Sequence, residues 1–93
     1  MKGGNLIGTV YLIHFDRRYK HAGHYIGFTS DLAVRLEAHG KGKGSRLMEV
    51  VVGAGIGFQV AKTWAETTRY FERKLKNRGG AARCCPLCKQ KTF

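Results

Sequence analysis

Six carboxylates stand against seventeen lysines and arginines in this chain of 93 residues, and that imbalance limits the chemistry available. Asp16, Asp31, Glu37, Glu49, Glu66 and Glu72 are too few and too scattered for a two-metal centre, which wants clustered carboxylates. A site built on one carboxylate stays open. Scission of a phosphodiester needs an activated water, stabilisation of the charge growing on phosphate, and help for the leaving oxygen. One divalent cation on one carboxylate supplies much of the last two. Arg35 and His39 are four residues apart and share a face if that segment is helical. A second group is sulfur and imidazole. Cys85-Pro86-Leu87-Cys88 is a C-x-x-C half-site, and a structural Zn²⁺ wants four ligands. His21 and His24, with Cys84 in reserve, would complete the set if the tail folds back on them; otherwise the thiols are a tail remnant or reactive groups. A third group is cationic. Lys41, Lys43 and Arg46 in KGKGSR, with Arg17, Arg18 and Lys20 upstream, suit contacts to a phosphate backbone, which give affinity without sequence choice. The bland alternative for KGKGSR is a solvated linker.

These groups need elements to hold them. From Thr9 the residues alternate, with Thr9, Tyr11, Ile13 and Phe15 on one side and Val10, Leu12 and His14 on the other. This pattern predicts a strand, central in its sheet because both faces are largely apolar. Asp16–Gly23 reads as a loop and His24–Phe28 as the return strand of a hairpin. Thr29-Ser30-Asp31 can cap a helix, DLAVRLEAH, closed by Gly40 in the left-handed conformation. Ser45 can cap a second helix over RLMEVVVGAG, although Val50–Val52 would also suit a strand. Phe58, Val60, Lys62 and Trp64 alternate in a third strand. Glu66-Thr67-Thr68 opens a last helix, with Phe71 and Leu75 as its apolar stripe, Glu72 at the stripe's edge and Gly79-Gly80 at its end. The expected order is β-β-α-(α)-β-α: an α+β fold with a small three-stranded antiparallel sheet flanked by helices. Residues 1–93 form one domain, led by a short segment (1–6) and ending in a basic, cysteine-bearing tail at about 81–93.

Tyr25-Ile26-Gly27, a tyrosine strand upstream, an arginine eight residues after Gly27 and a glutamate in a later helix resemble the GIY-YIG nuclease family. The resemblance runs from Thr9 to about Asn77. It implies a Mg²⁺- or Mn²⁺-dependent endonuclease with Tyr11, Tyr25, Arg35, His39 and Glu72 as its catalytic residues. Tyr11 and Tyr25 match the motif tyrosines, which take part in activating the attacking water. A free phenol has a pKa of about 10, so the site must lower it or use a hydrogen-bonded relay. Arg35 matches the arginine on the reacting phosphate, and His39 a position held by histidine or tyrosine. Glu72 matches the carboxylate that holds the metal, and Gly27 keeps its strand bare for a close approach. The first motif departs from the pattern: it reads Thr9-Val10-Tyr11, with Gly8 one place early. Phe28 stands where some relatives have a lysine, leaving Lys41 or Lys43 to reach in. Only Asn77 is near the expected late asparagine.

Each residue also has a plainer role. Tyr11 can be a packed strand tyrosine, Arg35 a solvated cation, His39 a helix-end residue favoured by the dipole, and Glu72 an i, i+4 partner of Lys76. The net charge of +11 favours a polyanionic partner, nucleic acid being the commonest; the resemblance implies DNA, with RNA as the alternative. A non-catalytic nucleic-acid-binding module of the same fold, or a zinc-stapled accessory domain of a larger complex, are the rival readings. No apolar run nears the roughly 18 residues that span a bilayer, no signal peptide is evident, and no basic amphipathic helix suits a lipid surface. The expectation is a cytoplasmic protein without a membrane partner.

Overall fold

The computed structural model describes residues 7–20, 22–77 and 85–89. Strand β1 (Gly8–Tyr19) pairs on one side with β2 (Ala22–Thr29) and on the other with β3 (Phe58–Thr67). Both pairings are antiparallel, in the order β2-β1-β3. Helices α1 (Leu32–Gly40) and α2 (Arg46–Gly53) lie between β2 and β3 in the chain. Helix α3 (Arg69–Asn77) and a short α4 (Pro86–Lys89) follow β3. This is the expected α+β class and sheet. Among the described residues, no helix is long and apolar enough to cross a membrane.

β1 is central and apolar on both faces, so one strand serves two small cores. Tyr11, Ile13 and Phe15 pack with Met48, Val51 and Ile56. Val10 and Leu12 pack on the other face with Ile26, Phe28 and Cys85, against Phe71 and Leu75 of α3. Burying strand side chains on both sides contributes about 1.5–3 kcal/mol for each large apolar residue, which makes β1 the rigid reference for everything attached to it.

Four boundaries differ from expectation. The segment Asp16–Gly23 is largely strand, with Lys20 at φ 56°. Pairing steps from His14↔His24 to Tyr19↔Ala22, five residues on β1 against two on β2. Such a bulge lets polar residues stay in the strand, and Asp16 N–H donates to Gly57 O at 2.8 Å. In β3, a second register shift opposite Leu12 and Ile13 breaks the alternation. Phe58 therefore joins the Tyr11 face, whereas Ala61 and Trp64 join the Leu12 face. β3 also runs on to Thr67, so Glu66 (φ 56°) belongs to the strand, and the first turn of α3 bonds to Thr68 O. Finally, the left-handed residue after α1 is Gly42 (φ 77°), not Gly40. Gly42 N–H bonds to His39 O and Lys43 N–H to Ala38 O, the paired bonds of a Schellman turn.

The caps at Asp31 and Ser45 form as read. Asp31 Oδ1 accepts from Val34 N–H at 3.2 Å, and Ser45 Oγ from Met48 N–H at 3.3 Å. Ser45 thereby favours helix for RLMEVVVG, and Met48 and Val51 supply its buried stripe. The lead-in 1–6, His21, Gly79-Gly80 and Cys84 lie outside the described residues.

Candidate active site

Tyr11 pairs with Gly27 across the β1–β2 ladder, and its ring lies over that glycine. A Cβ on Gly27 would stand 2.5 Å from Tyr11 Cζ and collide with the hydroxyl as well. Gly27 is bare because the tyrosine ring occupies the space. The ring thus reaches across β2, and its hydroxyl meets His39 Nε2 at 2.8 Å.

His39 lies near the end of α1 and is fully buried. Its Nδ1 lies 3.1 Å from Lys43 O. A carbonyl can only accept, so Nδ1 carries the proton and donates. Burial, foremost, and the nearby Arg35 charge hold the imidazole below its ordinary pKa, with the Lys43 carbonyl opposing. The neutral ring therefore presents a lone pair at Nε2 to the Tyr11 O–H. The Schellman turn makes this possible, because Gly42 reverses the chain and aims Lys43 O back at the ring. Gly44 continues the turn, and a Cβ there would come within 3.2 Å of His39 Cε1. Arg35 Nη1 reaches Gly44 O at 3.5 Å. KGKGSR is thus a fixed support for His39 and Arg35 rather than a solvated linker.

Tyr25 is half-buried beside the pair. Its ring centroid is 6.1 Å from that of Tyr11 and 5.4 Å from that of His39. Glu72 approaches from α3, its residue only 8% exposed, with Oε2 at 3.0 Å from Lys76 Nζ. Lys76 Nζ also stands 5.8 Å from the Tyr25 ring centroid. Arg69, Glu72, Arg73 and Lys76 line a cleft of about 220 Å³. The Tyr11 phenol is pushed well above its usual pKa, by burial first, then by Tyr25, with Arg35 pulling the other way and Glu72 adding to the rise. Of the two routes open to a catalytic phenol, ionisation is therefore closed at neutral pH. The route through a hydrogen-bonded partner has its partner in place.

The structure brings Tyr11, Tyr25, Arg35, His39 and Glu72 into one neighbourhood. Other expectations change. Lys41 pairs with Glu37 at 3.6 Å, and Lys43 contributes its main-chain carbonyl to His39. The lysine beside Glu72 is Lys76, which the sequence offered only as its i, i+4 partner. Phe28 packs in the opposite core, under Arg69 at 5.3 Å, and Asn77 is the exposed end of α3. Arg17 donates to Ala54 O at 3.3 Å, Arg46 pairs with Glu49 at 3.6 Å, and Lys20 lies 5.6 Å from the Tyr19 ring centroid. At about 3.3 Å per residue, Arg17 lies roughly 20 Å along β1 from Tyr11. Arg17, Arg18 and Lys20 would thus meet phosphates well away from the cleft. Arg69 and Arg73 line the cleft itself and were not among the residues expected to bind nucleic acid. Of the expected zinc ligands, His24 and Cys85 do meet, together with His14.

Compared with models of protein families, with curated proteins and with solved structures, the chain has no match.

Proposed function

We propose that this chain is a metal-dependent endonuclease that hydrolyses phosphodiester bonds of DNA, as its resemblance to GIY-YIG nucleases implies. The observation that carries the reading is the Tyr11–His39–Lys43 chain of hydrogen bonds, set beside Arg35 and Glu72. A buried tyrosine hydroxyl needs a partner in any case. What supports the nuclease reading is that this partner is a neutral imidazole with its tautomer fixed by a main-chain carbonyl, next to an arginine and a carboxylate.

The chemistry follows from that chain. Water attacks phosphorus and gives a proton to the Tyr11 oxygen while the Tyr11 proton moves to His39 Nε2. The new bond is P–O from water, and the bond to the leaving oxygen breaks. The phenol never needs to exist as a free phenolate, which suits its raised pKa. Arg35 offers a planar fork to the phosphate oxygens. Lys76, Arg69 and Arg73 draw the polyanion into the cleft.

Glu72 is the one carboxylate among the described residues that lines this cleft. Three cationic neighbours would repel a bare cation, so the donor set suits an ion held by one carboxylate, several waters and the substrate's own phosphate. That is how Mg²⁺ commonly binds in phosphoryl-transfer sites. Mg²⁺ or Mn²⁺ on Glu72 would supply Lewis-acid stabilisation of the charge on phosphate and leaving oxygen.

One observation favours a second reading, a nucleic-acid-binding module of the same fold that does not cleave. Glu72 already has a cation in Lys76, and a carboxylate kept only for that pair would look the same. Supercoiled plasmid incubated with the protein and Mg²⁺, Mn²⁺ or EDTA separates the two. Nicking that needs metal and falls at least about 100-fold in Tyr11→Phe and Glu72→Gln is expected of the enzyme. Salt-sensitive retardation of DNA without nicking would establish the binder.

A further inference from the structure

On the side of β1 away from Tyr11, three residues far apart in sequence converge. His14 lies on β1 and His24 is its cross-strand partner on β2. Cys85 immediately precedes α4 and is fully buried. We propose that His14, His24 and Cys85 bind a structural Zn²⁺ that staples α4 to the hairpin.

Spacing is the first argument. Cys85 Sγ lies 3.4 Å from His14 Nδ1, and His14 Nδ1 lies 3.4 Å from His24 Nε2. All three donor atoms fall within 4.8 Å of one another. Zinc bonds of about 2.3 Å to sulfur and 2.05 Å to nitrogen, at tetrahedral angles, give edges of about 3.6 Å for S···N and 3.3 Å for N···N. Two edges of such a tetrahedron are already formed.

Donor chemistry is the second. Two imidazoles and a thiolate suit a borderline ion such as zinc and reject Mg²⁺ and Ca²⁺, which want oxygen. The third is mechanical. A helix of four residues has no stability of its own, and α4 is anchored to the sheet only by what surrounds it. Cys85 and Leu87 join the small core around Val10 and Leu12. A metal there would close the loop from residue 14 to residue 85 and hold that core shut.

The competing account is a triad joined by hydrogen bonds, with the Cys85 S–H donating to His14 and no metal. The test uses the full, untagged chain purified from zinc-supplemented culture. Elemental analysis is expected to give about one zinc per chain. Chelation should lower Tm by about 10 °C or more, and restored Zn²⁺ should reverse the loss. Cobalt in place of zinc should give the intense visible bands of a tetrahedral site together with thiolate-to-metal charge transfer, a readout that needs no variant. Cys85→Ser should abolish the charge transfer from this thiol, and His14→Ala and His24→Ala should each lower zinc content several-fold. Folded wild-type protein with less than about a tenth of an equivalent of zinc, and no such cobalt spectrum, would overturn the site. So would full zinc content in a folded His14→Ala, His24→Ala double variant. Nuclease activity enters none of these readouts, so this site stands or falls apart from the proposed function.

Discussion

Gly27→Ala tests the architecture of the candidate site without assuming any activity. Its backbone is not in the left-handed region, so alanine introduces no main-chain strain and its effect is steric alone. The added methyl would sit 2.5 Å from Tyr11 Cζ, about 1 Å inside ordinary carbon–carbon contact. Tyr11 is fully buried, and the ring can relieve the overlap only by moving its hydroxyl off His39 Nε2. Overpacking costs about 1–3 kcal/mol. Stranding a buried imidazole acceptor adds about 1–3 kcal/mol. The sum, about 2–6 kcal/mol, is large against the stability of a domain this small and corresponds to a fall in Tm of about 10 °C or more. Urea denaturation of wild type, Gly27→Ala, Tyr11→Ala and the double variant forms a thermodynamic cycle. In the Tyr11→Ala background the ring is gone, so the glycine substitution should cost less than about 1 kcal/mol, a coupling of at least about 1–2 kcal/mol. A Gly27→Ala penalty below about 1 kcal/mol in wild type, or the same penalty in both backgrounds, would refute the placement of Tyr11.

Two further predictions concern His39 and the turn that holds it. In the proposed mechanism His39 is neutral when it accepts the Tyr11 proton, and its pKa is held below the ordinary value of 6.5, so log(kcat/KM) for cleavage should rise with unit slope in acid, with the midpoint of that limb below pH 6.5. The same shift acts on stability. The unfolded chain binds this proton more readily, so His39's contribution is complete above pH 6.5 and declines as pH falls from there towards the lowered folded value; a pH series of urea midpoints checks the sign, and an acid limb of cleavage centred above 6.5 would exclude His39. Gly42→Ala places a side chain at φ 77° and should destabilise by about 1–2 kcal/mol, while Gly40→Ala, in helical conformation and with open space around it, should be neutral or slightly stabilising; thermal melts of the two variants distinguish the cap assignment.

Local chemistry carried most of what was legible before any coordinates. Asp31 and Ser45 were readable as caps because a cap needs only its own oxygen and the amides that follow. β1 was readable as central because a strand apolar on both sides has nowhere else to sit. What failed depended on partners distant in sequence. Gly42 displaces Gly40 as the turning residue because the helix end is decided together with the carbonyl that holds His39. Phe58 and Trp64 part company because a register shift against β1 is invisible in β3 alone. In the site, the grouping of Tyr11, Arg35, His39 and Glu72 was an expectation from the resemblance to GIY-YIG nucleases; helical spacing by itself linked only Arg35 and His39. Lys76 was passed over because a salt bridge was sufficient reason for it. His14 was passed over because it reads as one more residue on a core-facing strand. Only the fold puts it beside His24 and Cys85.

The turn after α1 has a consequence for how this chain can vary. Lys43 holds His39 through its peptide carbonyl, and Gly44 meets Arg35 in the same way. Nothing in either contact depends on the Lys43 side chain, so position 43 is chemically silent in proton handling and free to drift or to be recruited for substrate grip. Positions 42 and 44 are the reverse: they carry no functional group, yet the backbone path through them decides where the carbonyl points. A substitution screen of this turn would therefore show tolerance at the charged residue and intolerance at its two featureless neighbours. Part of the candidate site is encoded as chain direction, which no inventory of reactive side chains records.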